Sequence, residues 1–329
     1  MSTGLYPFTF QPLFKERIWG GRSLERLYQK ALPPGVPVGE SWEISDRAGD
    51  VSTVANGSLA GKSLRWLMEN HASELLGSVP AAENRFPWLI KILDAREKLS
   101  LQVHPPSEKA RKLGGEPKTE MWYIAEATPS AELFVGLKRG VTRAGFEHKI
   151  KDGTVADCFH RIAVKKGDAM FLPSGRVHAL GGGNVIFEIQ QNSDTTYRVF
   201  DWNRLDAAGK LRDLHVGSSL ASIDFEDFEP GLISGPTRQE GAARVQSLVA
   251  DLLFTVEKIG LPAGHSKPMK SGGSRVVAVL DGRLSLAHEG TSIVLVPGQF
   301  CLLPASVEGA NLVAESAGSF LEVGPGSSS

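Results

Sequence analysis

Apolar residues along most of this chain come in short, strand-length runs rich in Val, Ile, Leu and Phe, bounded by glycine or proline. That texture predicts a mainly β protein of many strands and tight turns. Strands are expected at Trp88–Leu93, Leu99–His104, Met121–Ala125, Leu133–Leu137, His160–Val164, Ala169–Leu172 and Val185–Gln190. Helical spacing is confined to a few places. Leu64, Leu67, Met68, Leu75 and Leu76 share one face of a helix that starts near Ser63 and stops at Gly77. Short helices are also expected after Pro105-Pro106, from Ser107 to the Gly114-Gly115 pair, and over Thr142 to Ile150.

From about residue 236 the pattern turns to strand alone, and GPTRQEGAAR before it reads as a linker. Two domains follow, 1–235 and 236–329, as the 329-residue length also suggests. One segment recurs across them. Gly167-Asp-Ala-Met-Phe-Leu-Pro173 and Gly298-Gln-Phe-Cys-Leu-Leu-Pro304 each carry a glycine turn, an apolar strand and a terminating proline at the same spacing. A turn-and-strand unit repeated in each half resembles, in outline, two cupin-type jelly-roll barrels with a few short helices in or around the first.

Composition narrows the class. Hydrophobic residues make up 41% and charged residues 22%, which excludes a largely disordered chain. The 36 Lys+Arg balance 37 Asp+Glu, so there is no electrostatic footprint for nucleic acid or an anionic membrane. The N-terminal stretch lacks the continuous apolar core of a signal peptide, and no apolar run approaches membrane-span length. Cys158 and Cys301 form no CxxC pair and read as reduced thiols. The expectation is a soluble cytoplasmic protein of unassigned oligomeric state, compatible with a monomer.

Candidate chemistry lies in the first half. Ser100, Gln102 and His104 alternate with Leu99, Leu101 and Val103, so the three polar side chains share one face of a strand. Glu120 opens another strand, and His178 follows the repeated unit. A lone strand histidine is ordinarily a surface or hydrogen-bonded core residue. Two imidazoles and a carboxylate on separate barrel strands can instead converge on a divalent metal, with Gln102 adding an amide oxygen. Such nitrogen and oxygen donors suit zinc, non-haem iron, manganese or nickel. The second half supplies a control: five residues after Pro304 comes Gly309, where five after Pro173 comes His178. A metal is therefore expected in the first half alone. Further on, Glu188 lies on a strand, and Arg198 and Arg204 follow it as either salt-bridge partners of Asp194, Asp201 or Asp206, or a receptor for phosphate or an oxyanion. Gly20-Gly21 and Gly181-Gly182-Gly183 lack the strand–GxGxxG–helix context of phosphate cradles and read as loops.

Several motifs in order carry a resemblance: FKERIWGG near residue 14, GESWEIS at 39–45, PWLIKILDA at 87–95, SLQVHPP, KTEMWYI, LPSGRVHAL and IQQNSDTTYRVFDW. The chain resembles the type I mannose-6-phosphate isomerases in their short bacterial form, densely over about the first 215 residues and loosely beyond. The resemblance implies one zinc ion held by Gln102, His104, Glu120 and His178. It implies a catalytic Arg198, a phosphate-binding Ser100, pocket residues Lys118 and Glu188, and a phosphate-binding cation at Arg204, where longer members carry lysine. His71, His148, His160, His215, His265 and His288 match none of these motifs and read as structural or exposed.

The implied reaction interconverts mannose 6-phosphate and fructose 6-phosphate through a cis-enediol. Arg198 is a poor base because guanidinium titrates above about 12, so it suits the enediolate or the phosphate. Glu188, Lys118 or metal-bound water can carry the proton. Ser100 and Arg204 would anchor the phosphate. Three other readings stand beside this one: an isomerase of another sugar phosphate or a free aldose, a cupin metal oxygenase, and a non-catalytic sugar-binding or storage protein.

Overall fold

The computed structural model describes residues 4–205 and 209–326. The chain is mainly β, and each strand named above forms to within a residue or two at its ends. Helix Leu64–Leu76 forms as its pattern demands. The Ser63 hydroxyl accepts the Trp66 N–H at 3.0 Å, the five apolar residues are buried, and Gly77 takes a φ of +60° to leave the helix. Thr142 caps Arg143–Lys151 in the same way.

Two expectations fail locally. Thr237–Glu240, within the supposed linker, is a strand paired antiparallel with Ala243–Ala250, which begins at the linker's end, because the partner strand satisfies its backbone despite the polar composition. Gly20 and Gly21 end strand Leu13–Gly21 instead of looping. A Cβ at Gly20 would lie 2.4 Å from the Gly39 nitrogen, so the glycine permits a close approach of two strands.

The first six-stranded sheet runs in the order Leu13–Gly21, Val38–Ile44, Trp88–Ala95, Asn184–Gln191, Glu120–Ala127, Ala169–Leu172. A five-stranded sheet follows the order Tyr197–Phe200, Leu101–Val103, His178–Leu180, Glu132–Leu137, Phe159–Ala163. Trp19, Leu93, Trp122 and Ile124 of the first sheet share one apolar cluster with Leu133, Val135 and Leu180 of the second. The two sheets therefore face each other, and residues on their inner faces meet. Phe146, Val155, Cys158 and Ile223, from the helical segments, cover the outer face of the five-stranded sheet.

The second half repeats the arrangement. Its six-stranded sheet has the order Thr237–Glu240, Ala243–Ala250, Phe254–Leu261, Gly318–Pro325, Arg275–Asp281, Phe300–Leu303, beside a sheet of four. The repeated units thus occupy matching sheet-edge positions, after Gly167 and Gly298, both at positive φ. Outer faces of the two six-stranded sheets join in one core that contains Ile90, Phe187 and Ile189 with Val256, Ala278 and Leu321. Phe8 adds reciprocal 2.8 Å backbone bonds to Leu302. Both cysteines are buried and free. No helix among the described residues is long and apolar enough to cross a membrane.

Candidate metal centre and substrate pocket

Strand periodicity aims the polar residues inward. In Glu120–Ala127, Met121 and Tyr123 join the core shared by the halves, which turns Glu120 and Trp122 to the opposite, inner face. In Asn184–Gln191 the same alternation turns Glu188 inward, and in Trp88–Ala95 it turns Lys91 inward. Backbone register then sets Trp122, Glu188, Lys91 and Trp42 in one row across four strands. From the five-stranded sheet a second row, Arg198, Gln102 and His178, faces it.

His104, Glu120 and His178 converge, with one ligand atom from each within 4.8 Å of the others, and all three are buried. The His178 Nε2 lies 3.3 Å and the His104 Nε2 3.7 Å from Glu120 Oε1. Each imidazole is oriented from behind: His104 Nδ1 lies 2.7 Å from the Thr195 carbonyl and His178 Nδ1 lies 3.0 Å from that of Arg176. A carbonyl only accepts, so each Nδ1 carries the proton and each Nε2 turns a lone pair toward Glu120. Burial pushes the His104 pKa down to about 4, with Lys118 adding to the effect, and burial also lowers that of His178. Both rings are neutral near pH 7. Burial alone would raise the Glu120 pKa, yet Lys118, whose Nζ is 2.9 Å away, holds it well below the usual range.

Two lone pairs and a carboxylate oxygen thus point at one another, and His104 Nε2 and Glu120 Oε1 hydrogen-bond nothing. Such buried acceptors without donors fit a divalent cation. Gln102 reaches the same point: its Nε2 is 3.3 Å from His178 Nε2, and its Oε1 is 3.5 Å from the Ser100 hydroxyl.

Beside this cluster a cavity of about 340 Å³ is lined by Ser100, Gln102, Lys118, Glu188 and Arg198. Glu188 accepts the Trp122 indole N–H at 2.9 Å, and Lys91 Nζ lies 3.2 Å from its other oxygen. Burial opposes the charge on Lys118, but Glu120 and Glu188 outweigh it and raise its pKa. Arg198 donates from NH1 to the Asp213 carbonyl at 2.7 Å, and its Nε is buried without a partner. His215, although exposed, accepts the Arg198 backbone N–H through Nδ1 at 3.2 Å.

Arg204 departs from its expected place. Its guanidinium binds the Asp201 carboxylate and the Lys98 carbonyl, and it does not line the cavity. Asp206 lies outside the described residues. Sequence reasoning assigned no role to Arg17, Glu40, Lys91 or Arg212, which also line the cavity. Lys91 did carry a signal, a lysine in the middle of the otherwise apolar Trp88–Leu93 run. Glu40 binds Arg17 at 2.6 Å and the Trp42 indole at 2.6 Å, and its carboxylate lies 3.8 Å from Lys91.

Comparison with known proteins adds independent findings. A family model described as phosphomannose isomerase type I, catalytic domain, matches residues 8–148. The chain is 42% identical over 220 residues to mannose-6-phosphate isomerase ManA of Bacillus subtilis, covering 66% of this chain and 68% of that protein. It is 33% identical over 303 residues to the mannose-6-phosphate isomerase of Streptococcus mutans, covering 92% and 93% respectively. A crystal structure of mannose 6-phosphate isomerase from Bacillus subtilis superposes with a TM-score of 0.88 at 32% identity, over 97% of this chain and 99% of the other.

Proposed function

This chain belongs to the type I mannose-6-phosphate isomerase family, and from that premise we propose that it interconverts mannose 6-phosphate and fructose 6-phosphate through a cis-enediol, using one zinc ion. The observation that carries this reading is the convergence of His104, Glu120 and His178 beside a cavity that presents Lys118, Glu188 and Arg198. His104, Glu120 and His178 would hold the ion, and Gln102 would join through its amide oxygen. When bound, zinc would supply Lewis acidity to the sugar oxygens as negative charge develops.

The protein's own residues divide the remaining work. Glu188 is the proton carrier of choice. It is a carboxylate held in place by Trp122 and Lys91, able to take the proton from C2 and return it to C1. Lys118, kept protonated by two carboxylates, is a cation for the enediolate oxygens and a poor base. Arg198 offers its guanidinium to the enediolate or the phosphate, and Ser100 anchors the phosphate from just before the neighbouring strand Leu101–Val103.

Residues 1–235 would form the catalytic domain and 236–329 a cupin-type domain without metal. Register supports the second assignment: Glu120 pairs with Leu172, and the corresponding partner of Leu303 is Arg275, a cation bonded at 3.0 Å to Glu322. The neighbouring interior is apolar, with Val277, Cys301 and Phe320. A cytoplasmic setting suits the free thiols and the phosphorylated substrate.

Isomerase activity on mannose 6-phosphate, assayed before and after chelation with zinc added back, tests the reading. Activity lost and restored supports both reaction and metal. Folded, zinc-loaded protein without activity would refute it.

A further inference from the structure

Arg17, Arg198 and Arg212 line the cavity, and Arg204 stands close by without lining it. Arg204 has its terminal nitrogens engaged: it pairs with buried Asp201, donates to the Lys98 carbonyl at 2.6 Å, leaves only its Nε without a partner, and does not line the cavity. Arg212 lines the cavity with Arg198 and Ser100, keeps about a quarter of its side chain exposed, and touches Asp201 at 3.4 Å, at the long end of an ion pair.

The fold explains why Arg212 arrives there. His215 and Arg198 exchange backbone-directed bonds, His215 N–H to the Arg198 carbonyl at 2.8 Å and Arg198 N–H to His215 Nδ1 at 3.2 Å. Arg198 NH1 also binds the Asp213 carbonyl. The returning chain is thereby fastened alongside the strand of Arg198, and residue 212 falls at the cavity mouth. Two guanidiniums of like charge held near each other, with Asp201 shared between Arg212 and Arg204, leave a local surplus of positive charge. A dianionic phosphate monoester complements that surplus.

We propose that Arg212, in place of Arg204, is the second cation that receives the substrate phosphate beside Arg198, and that Asp201 positions it. The proposal rests on the isomerase reading and adds a residue that sets preference for phosphorylated over free sugar.

Steady-state kinetics of R212Q and R212K on mannose 6-phosphate, in the zinc-loaded full chain, test it. R212Q should raise KM about 10–100-fold, the range expected for losing a charge-assisted hydrogen bond, with kcat changed much less. Its inhibition constant for inorganic phosphate should rise in parallel. R212K, which keeps the charge without the planar fork, should fall between. If R212Q does not fold, as judged by circular dichroism, a severalfold rise in KM for R212K decides the matter. A KM and a phosphate inhibition constant within twofold of the unmodified enzyme would overturn the proposal. Should the unmodified protein fail to turn over mannose 6-phosphate, the isomerase reading falls separately. Calorimetric titration with inorganic phosphate then still judges Arg212: weaker binding by R212Q upholds it, and equal or absent binding refutes it.

Discussion

Lys91 and Glu188 face each other in register across neighbouring strands, with Nζ 3.2 Å from Oε2 and each side chain only 4% exposed. A buried ion pair of this kind is weak evidence for stability, because desolvation offsets much of the attraction. Its consequence is positional: it holds the Glu188 carboxylate where the cavity needs it, and Lys91 also serves Glu40, 3.8 Å away. Replacing Lys91 by Met should cost about 3–5 kcal/mol, since two buried carboxylates lose a shared cation. Urea unfolding measures this, and a loss under 1 kcal/mol would show that the pair is not desolvated.

Glu188→Gln keeps the Trp122 bond and removes the proposed proton acceptor. We expect kcat to fall about 10²–10⁴-fold with KM little altered. A variant retaining a tenth of the activity would move the proton to another group.

Glu120→Gln removes the anionic member of the candidate metal centre and leaves Lys118 without its 2.9 Å partner. Metal affinity should drop by more than the about 10–100-fold typical of losing an outer-shell contact. Elemental analysis after dialysis at low free zinc reads this directly, and full occupancy in the variant would exclude Glu120 as a ligand.

Glu40 gives the protein an acid-sensitive element. Burial alone would raise its pKa, but Lys91, Arg17 and the Trp42 indole bring it down to about 2 from an ordinary 4.5. A carboxylate lowered on folding contributes stability that is complete above its unfolded pKa and lost as pH falls toward the folded one. Stability should therefore decline between about pH 4.5 and 2, with a slope of up to about 1.4 kcal/mol per pH unit from this group. Melting curves of the unmodified protein and E40Q across that window compare the slopes, and identical slopes would contradict the assignment.

Local chemistry made much of this protein legible before any fold was known. Ser63 and Gly77 delimit a helix because their capping and left-handed preferences act within one turn. Alternation in Ser100–His104 aims Gln102 inward because strand side chains switch faces at every residue. The repeated glycine and proline around Ala169–Leu172 and Phe300–Leu303 mark matching edges of two sheets because turn and strand-ending preferences are local too. The candidate centre of His104, Glu120 and His178 was readable because His104 shares a strand face with Gln102, Glu120 opens a strand, His178 follows the repeated unit, and the motif resemblance joins the three.

Tertiary structure decided the rest. Lys91 meets Glu188 in register across neighbouring strands, and Glu40 and Arg17 join them through successive ion pairs, which no spacing along the chain encodes. Arg204 stands outside the cavity lining while Arg212 joins it, because Asp201 captures one guanidinium closely and the other loosely. The supposed linker became an edge strand because Ala243–Ala250 offered Thr237–Glu240 a partner in the second six-stranded sheet. Sequence determined which side chains each element could present and to which face; which of them stand within bonding distance depended on long-range strand pairing and on competition for shared buried charges, both properties of the folded chain alone.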